Sequence, residues 1–372
     1  MMLTGEEFIQ YFESVVPKEL AEDGDPVGLH IGTLNKPIKR VMMTLDVRPA
    51  VVREAIEKNV DLIIAKHPPI FRPIKRLTTD DFQTQMFADL LSHNIAVYAA
   101  HTNMDIVNPG LNDWFCDLLG LHDTEFLSLT HRFPYKKLVL FTPTSHAGIM
   151  REMLGKAGVG EYGGYDFASF SSSGVGRFRP SDMSAPFTGE KEKIAQVEEQ
   201  RQEFIFPERQ LNIVKDIIQK YHPYEVPAYD IFNLENMTDD YGLGRIGKLA
   251  QPMSLDDTVT HVKQVFGLNA VTLVTDTHEK MIETIAICGG SGEKFYKDAL
   301  KKGADLYITG DVYFHTAHDM IEEGLSVIDP GHYIESICKE KYVEMFNEWK
   351  DSQGWDVDFI VSQVSTNPFE II

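Results

Sequence analysis

The stretch "LIIAKHPPIF", residues 62–71, decides how this chain is read. Its first four residues, Leu62–Ala65, form the short apolar run that a buried strand of a parallel sheet requires. Lys66 and His67 follow, and then Pro68 and Pro69, whose rings restrict the backbone behind them. The strand therefore delivers a basic pair to the carboxyl edge of a sheet and stiffens the chain there. In open parallel sheets that edge is where ligands bind.

The flanking sequence repeats the pattern. "IKRVMMTLD" (38–46) reads as a strand. "RPAVVREAIEKNV" (48–60) has helical apolar spacing, with Pro49 near its start, where the missing N–H costs nothing. "DFQTQMFADLLSHN" (81–94) is a second helix and "IAVYAAHTNMD" (95–105) a third strand. Such strand–helix–strand repeats imply a parallel sheet with crossover helices. From about 245 the theme returns: "TIAIC" (284–288), "ADLYITGD" (304–311) and "LSVIDPGH" (325–332) are strands separated by helical segments.

Between the halves, counting a strand in "YDFASFS" (165–171), the order becomes β-α-β-β-α-β, the ferredoxin-like signature. The expected architecture is a two-part α/β domain with parallel-type sheets, residues 1–130 and 245–372, interrupted by a ferredoxin-like α+β domain at 131–244. An insertion joining surface points is structurally cheap. A length of 372 residues, too great for one ordinary core, agrees.

Composition narrows the function. A formal charge of −21 with no basic patch argues against a phosphate-backbone binder, so nucleic acid is not the expected partner. Cys116, Cys288 and Cys338 form no CxxC, which fits a reducing cytoplasm better than a disulfide framework. No signal-like or membrane-spanning apolar run is found, so no membrane partner is expected.

Polar residues follow every strand end: Asp46, Lys66 and His67, His101 and Asp105, then Gly289–Gly292, Asp311 and His332. In "AHTNMD" (100–105) His101 and Asp105 are four apart; a turn-capping aspartate and a satisfied buried histidine would explain them equally well. In "GHYIES" (331–336) His332 and Glu335 are three apart at a helix start, on one face, where they can chelate a divalent ion or merely serve the helix dipole. Taken together, His67, Asp105, His332 and Glu335 make a ligand set suited to Zn²⁺, Mn²⁺ or Fe²⁺, and a carboxylate such as Asp105 can bridge two ions. "CGGSGEKF" (288–295) reads as a tight strand–helix turn, with anion binding as the alternative. "FSSSGVGRFRP" (170–180) reads as a surface loop, or as a ligand loop using Arg177 and Arg179.

These stretches resemble a known family. "DPVGLHIG" (25–32), "LIIAKHPPIF", "YAAHTNMD" (98–105), "YITGDVYFH" (307–315) and "DPGHYIES" (329–336) are similar to motifs of the GTP cyclohydrolase 1 type 2 homologues, also called the Nif-three-like family. The middle resembles the long bacterial form, with a CutA/PII-like insert. The resemblance implies a dinuclear site holding two divalent ions, Zn first among them. It implies His67, Asp105, His332 and Glu335 as ligands, with His101 a ligand or near neighbour. His315 would line the cavity, and the assembly would be a homohexamer. Many members carry a second histidine where this chain has Lys66, and Asn where it has Pro26. A protonated lysine has donors only. Lys66 is therefore expected to turn away or to pair with a carboxylate or a substrate anion, leaving one metal position weaker.

The expected function is a metal-dependent hydrolase acting on a nucleotide or small anionic ligand, with His101 and His315 as the candidate acid–base residues. No separate cofactor-binding residue is expected. The alternative is a metal-holding scaffold without turnover whose insert senses a ligand or partner.

Overall fold

The computed structural model describes residues 2–372, and the chain divides into two compact units. The larger joins Met1–Thr130 to Tyr241–Ile372; the smaller is His131–Asp240. The sequence reading ran the insert on to residue 244. The strands are β1 Gly28–Ile31, β2 Arg40–Thr44, β3 Leu62–Ala65, β4 Ala96–Ala99, β5 Leu121–Pro143, β6 Phe170–Phe178 and β7 Ala195–Pro207. They continue with β8 Tyr229–Ser254, β9 Thr272–Val274, β10 Met281–Ile287, β11 Leu306–Ile308, β12 Ser326–Asp329 and β13 Asp358–Val361. The chain leaves the larger unit within β5 and returns within β8.

The first sheet of the larger unit has the order β1-β4-β3-β2-β13. Of its four pairings three are parallel, joining β13, β2, β3 and β4, while β1 adds antiparallel to β4 at the edge. Every residue of β3 and β4 is buried, as a strand covered on both faces must be. One covering layer is the helix Pro49–Glu57, with proline at its first turn, which presents Val51, Val52 and Ala55 to Met42 and Ile63. In the second sheet β10, β11 and β12 are parallel, flanked by antiparallel β8 and β9. The architecture is thus mixed α/β on two sheets, rather than parallel throughout. The antiparallel edge strands β1 and β9 are only four and three residues long, too short for a periodic pattern to mark them in the sequence.

The smaller unit follows the order strand, helix Ala147–Lys156, β6, β7, helix Leu211–Tyr221, strand. Here "FSSSGVGRFRP" is no loop: Phe170–Phe178 pairs antiparallel with Ala195–Glu203. Of its two glycines only Gly176 is crowded, where a Cβ would lie 2.2 Å from a Glu199 carboxylate oxygen; nothing lies within 4 Å of a Cβ at Gly174. The strand expected at 165–171 accordingly lies later.

A second correction concerns "IAVYAAHTNMD". The strand ends at Ala99 and residues Thr102–Ile106 form a helical turn. Asp25 holds the start of that turn, accepting hydrogen bonds from the Thr102 N–H at 3.0 Å and hydroxyl at 2.5 Å. The three cysteines are free and buried, Cys288 among the apolar residues of the second sheet's core. Among the described residues no helix is long and apolar enough to cross a membrane.

Candidate metal centre

β3 and β12 direct the site. Beyond the end of β3, the Lys66 and His67 N–H groups still bond to the Thr44 and Leu45 carbonyls, which carries His67 straight off the sheet edge. After β12 the chain turns through Gly331, at φ 83°, into a 3₁₀ helix over His332–Ile337. In that geometry residues three apart eclipse, so His332 and Glu335 stand side by side. The halves of the larger unit, far apart in sequence, meet here. His67 Nε2 lies 3.0 Å from Glu335 Oε2 and 3.4 Å from His332 Nε2, and His332 Nε2 lies 3.4 Å from the same carboxylate oxygen. Ligand atoms of these three residues all fall within 4.8 Å of one another, a group able to hold one metal ion.

Each imidazole at this edge is backed by an aspartate. His67 Nδ1 donates to Asp46 at 2.8 Å, His332 Nδ1 to Asp311 at 2.7 Å, and His101 Nδ1 to Asp25 at 2.8 Å. A proton fixed on Nδ1 leaves Nε2 as the ligand atom, the arrangement that orients metal-binding histidines. The aspartates are held in turn: Asp46 by Thr366, Asp311 by Ser291, and Asp25 by Thr102. Burial opposes the charge on Asp46, but hydrogen bonds from His67 and Thr366 outweigh it and hold the carboxyl below its ordinary range. The Glu335 hydrogen bond, against burial and with help from Asp311, raises His332 to about 9.

Lys66 answers the question its position raises. It is 1% exposed, and its Nζ donates to Asp105 Oδ2 at 2.9 Å, with Glu335 Oε2 at 3.8 Å. Burial alone would discharge the amine; the Asp105 and Glu335 charges outweigh it and keep the ammonium protonated well above the usual lysine range. Burial raises the Asp105 carboxyl, Lys66 pulls it down, and the neighbouring Glu335 charge adds to burial. Glu335 stays ionised despite burial, through Lys66 first and then His332 and His67. Asp105 Oδ1 is buried without a hydrogen-bond partner among the described residues.

Of the sequence-derived candidates, His67, His332 and Glu335 form the ligand group, and Asp105 is joined to it through Lys66. His101 stands beside it, its ring centroid 5.8 Å from that of His67. His315 does not join the group: it is exposed on the helix Phe314–Glu322, edge-on to Phe314. The sequence reading missed the supporting roles of Asp25, Asp311 and Thr366, since no spacing rule links Asp25 to a histidine 76 residues on.

The glycine turn proves to be structural. Asn112 and Thr309 side chains accept the Gly289 and Gly292 N–H groups. Gly290, at φ 61°, lets the backbone approach so closely that a Cβ would sit 2.7 Å from Glu335 Oε1. Amides already paired, beside a carboxylate, do not make an anion site.

His67 forms part of the walls of two open clefts. One, of about 1200 Å³, runs past Asp311 and His332 to the C-terminal residues Thr366–Ile371. The other, of about 460 Å³, is bordered by Arg48, Arg72, Phe71 and Phe82.

Comparison with known proteins agrees with this layout over the whole chain. The family model described as Duf34/NIF3 (NGG1p interacting factor 3) matches residues 3–368. A Bacillus subtilis protein named GTP cyclohydrolase 1 type 2 homolog is 45% identical over 370 residues, covering 100% of this chain and 99% of its own. A Halalkalibacterium halodurans protein of the same name is 42% identical over 368 residues, covering 99% of each. Among solved structures, a Bacillus cereus protein related to NIF3 superposes with a TM-score of 0.92 at 40% identity, covering 100% of both chains. A Staphylococcus aureus protein gives 0.76 at 28% identity, covering 100% of this chain and 99% of its own. With the motifs, the fold and full-length relatives in agreement, the chain belongs to the Duf34/NIF3 (NGG1p interacting factor 3) family.

Proposed function

We propose that His67, His332 and Glu335 hold a divalent metal ion, Zn²⁺ by preference, and that the chain is a metal-dependent hydrolase acting on an anionic, nucleotide-like substrate. The observation that carries the reading is the set of aspartate-backed imidazoles converging on one buried carboxylate. Nitrogen and oxygen donors without thiolate suit Zn²⁺, Mn²⁺ or Fe²⁺. A bound ion supplies Lewis acidity and lowers the pKa of water.

The chain's own residues would do the rest. His101, fixed by Asp25 beside His67, is placed to carry a proton. Arg48 and Arg72 border the smaller cleft next to His67 and would meet a phosphate, with Phe71 and Phe82 offering apolar faces to a ring. The relatives' name suggests GTP ring opening, and we take GTP as the first substrate to test. Metal-loaded protein incubated with GTP should yield a product resolved by chromatography, and His101→Ala should lose it while keeping its metal. Stoichiometric metal with no turnover of GTP or other nucleotides would favour the scaffold reading instead.

We read the smaller unit, from its element order, as a ferredoxin-like insert, and the assembly as a homohexamer. Exposed Phe71, Phe82, Tyr313 and Phe314 support an assembled state. Light scattering behind size exclusion tests it: a monomer at micromolar concentration would end this reading.

A further inference from the structure

We propose that the Lys66 ammonium stands where a second cation would otherwise sit, so that this chain holds one exchangeable metal ion beside a fixed positive charge. The inference rests on the metal reading above and concerns a residue that reading leaves unused.

The geometry is specific. Glu335 Oε2 faces two sets of partners: the His67 and His332 Nε2 atoms at 3.0 and 3.4 Å, and Lys66 Nζ at 3.8 Å. An ion held by His67, His332 and Glu335 uses the imidazole side. A second ion on Asp105 would have to share that carboxylate with the Lys66 ammonium, which already engages Oδ2 at 2.9 Å. Lys66 cannot step aside cheaply, because it is 1% exposed and a buried ammonium without its carboxylates is strongly unfavourable.

Electrostatics point the same way. Lys66 already pairs with the carboxylate that a second ion would use. A divalent ion on Asp105 would lie within a few ångströms of the ammonium, a like-charge contact that burial strengthens. The ammonium contributes charge but no lone pair, so it replaces an ion electrostatically and not as a ligand holder.

The test counts ions. Chelator-stripped wild-type protein is titrated with Zn²⁺ by calorimetry, and bound metal is measured by mass spectrometry of the desalted protein. One ion per chain is expected, with any second binding at least about 100-fold weaker, given the like charge a few ångströms away. Lys66→His, with its fold checked by near-ultraviolet circular dichroism, should rise to two. Two ions of similar affinity in the wild type would overturn the inference while leaving the metal reading intact. A folded Lys66→His protein that stays at one ion would also overturn it. No bound ion in the wild type would remove the metal reading and the inference together. Should Lys66→His fail to fold, the wild-type count decides alone.

Discussion

At the scale of single residues, the site depends on side chains that would never touch a metal. Asp46 orients His67 through Nδ1 and is itself held by Thr366. Asp46→Asn keeps the size and the Thr366 bond but loses the charge that favours the Nδ1–H tautomer. Metal affinity should fall by about 10- to 100-fold, as loss of such a partner does elsewhere. A competition titration against a fluorescent zinc chelator measures this. Asp25→Asn supplies the contrast. Asp25 supports His101, which lies outside the three-residue group, so metal affinity should change by less than about threefold. Equal losses in the two variants would mean that His101 is a ligand.

Elements carry the next level of control. His222 ends the helix Leu211–Tyr221, with Nε2–H donating to the Phe141 carbonyl at 3.0 Å and Nδ1 accepting from the Tyr224 N–H at 3.2 Å. Both bonds suit the neutral ring, and burial, partly offset by the Phe141 bond, lowers its pKa. Below the ordinary histidine range the unfolded chain then binds the proton more readily than the folded one. The stability His222 contributes is present above about pH 6.5 and is lost as pH falls from there. Urea unfolding followed between pH 7.5 and 5 should show this slope, and His222→Gln should flatten it while costing about 1–2 kcal/mol at neutral pH. The same scale shows what the sequence could reveal. Strands such as "LIIA" announce themselves because burial on both faces demands an unbroken apolar run. "FSSSGVGRF" hides a strand, since its composition answers to the exposed sheet surface and to Glu199 beside Gly176. His332 and Glu335 were legible because local helical geometry joins them. The Asp25–His101 and Asp46–Thr366 pairs were not, because only the finished fold brings them together.

Across the whole molecule, the larger unit must join halves separated by the insert. Arg245, just after the return, does this: it is 2% exposed and pairs in bidentate fashion with Asp113 at 2.6 and 2.8 Å. It also donates to the carbonyls of Val107, Gly242 and Gly244 and stacks on Phe126. Arg245→Met strands an acid and three carbonyls and should cost about 3–5 kcal/mol in urea unfolding. The double variant Arg245→Met with Asp113→Leu should recover part of it. With that clamp in place, the larger unit has what it needs to stand without the insert. The Thr130 hydroxyl donates to the Tyr241 carbonyl at 3.4 Å, so the points of departure and return are adjacent. Every residue of the metal centre lies outside 131–240. Replacing residues 131–240 by Gly-Gly should therefore give a cooperatively melting protein with zinc affinity within roughly threefold of the full chain, since short closures between neighbouring surface points are well tolerated. Circular dichroism and zinc titration read the two properties separately. If metal is retained while nucleotide turnover disappears, the insert belongs to substrate recognition. If metal binding is lost from a protein that still melts cooperatively, the ligand group depends on the insert and the larger unit does not hold the ion alone.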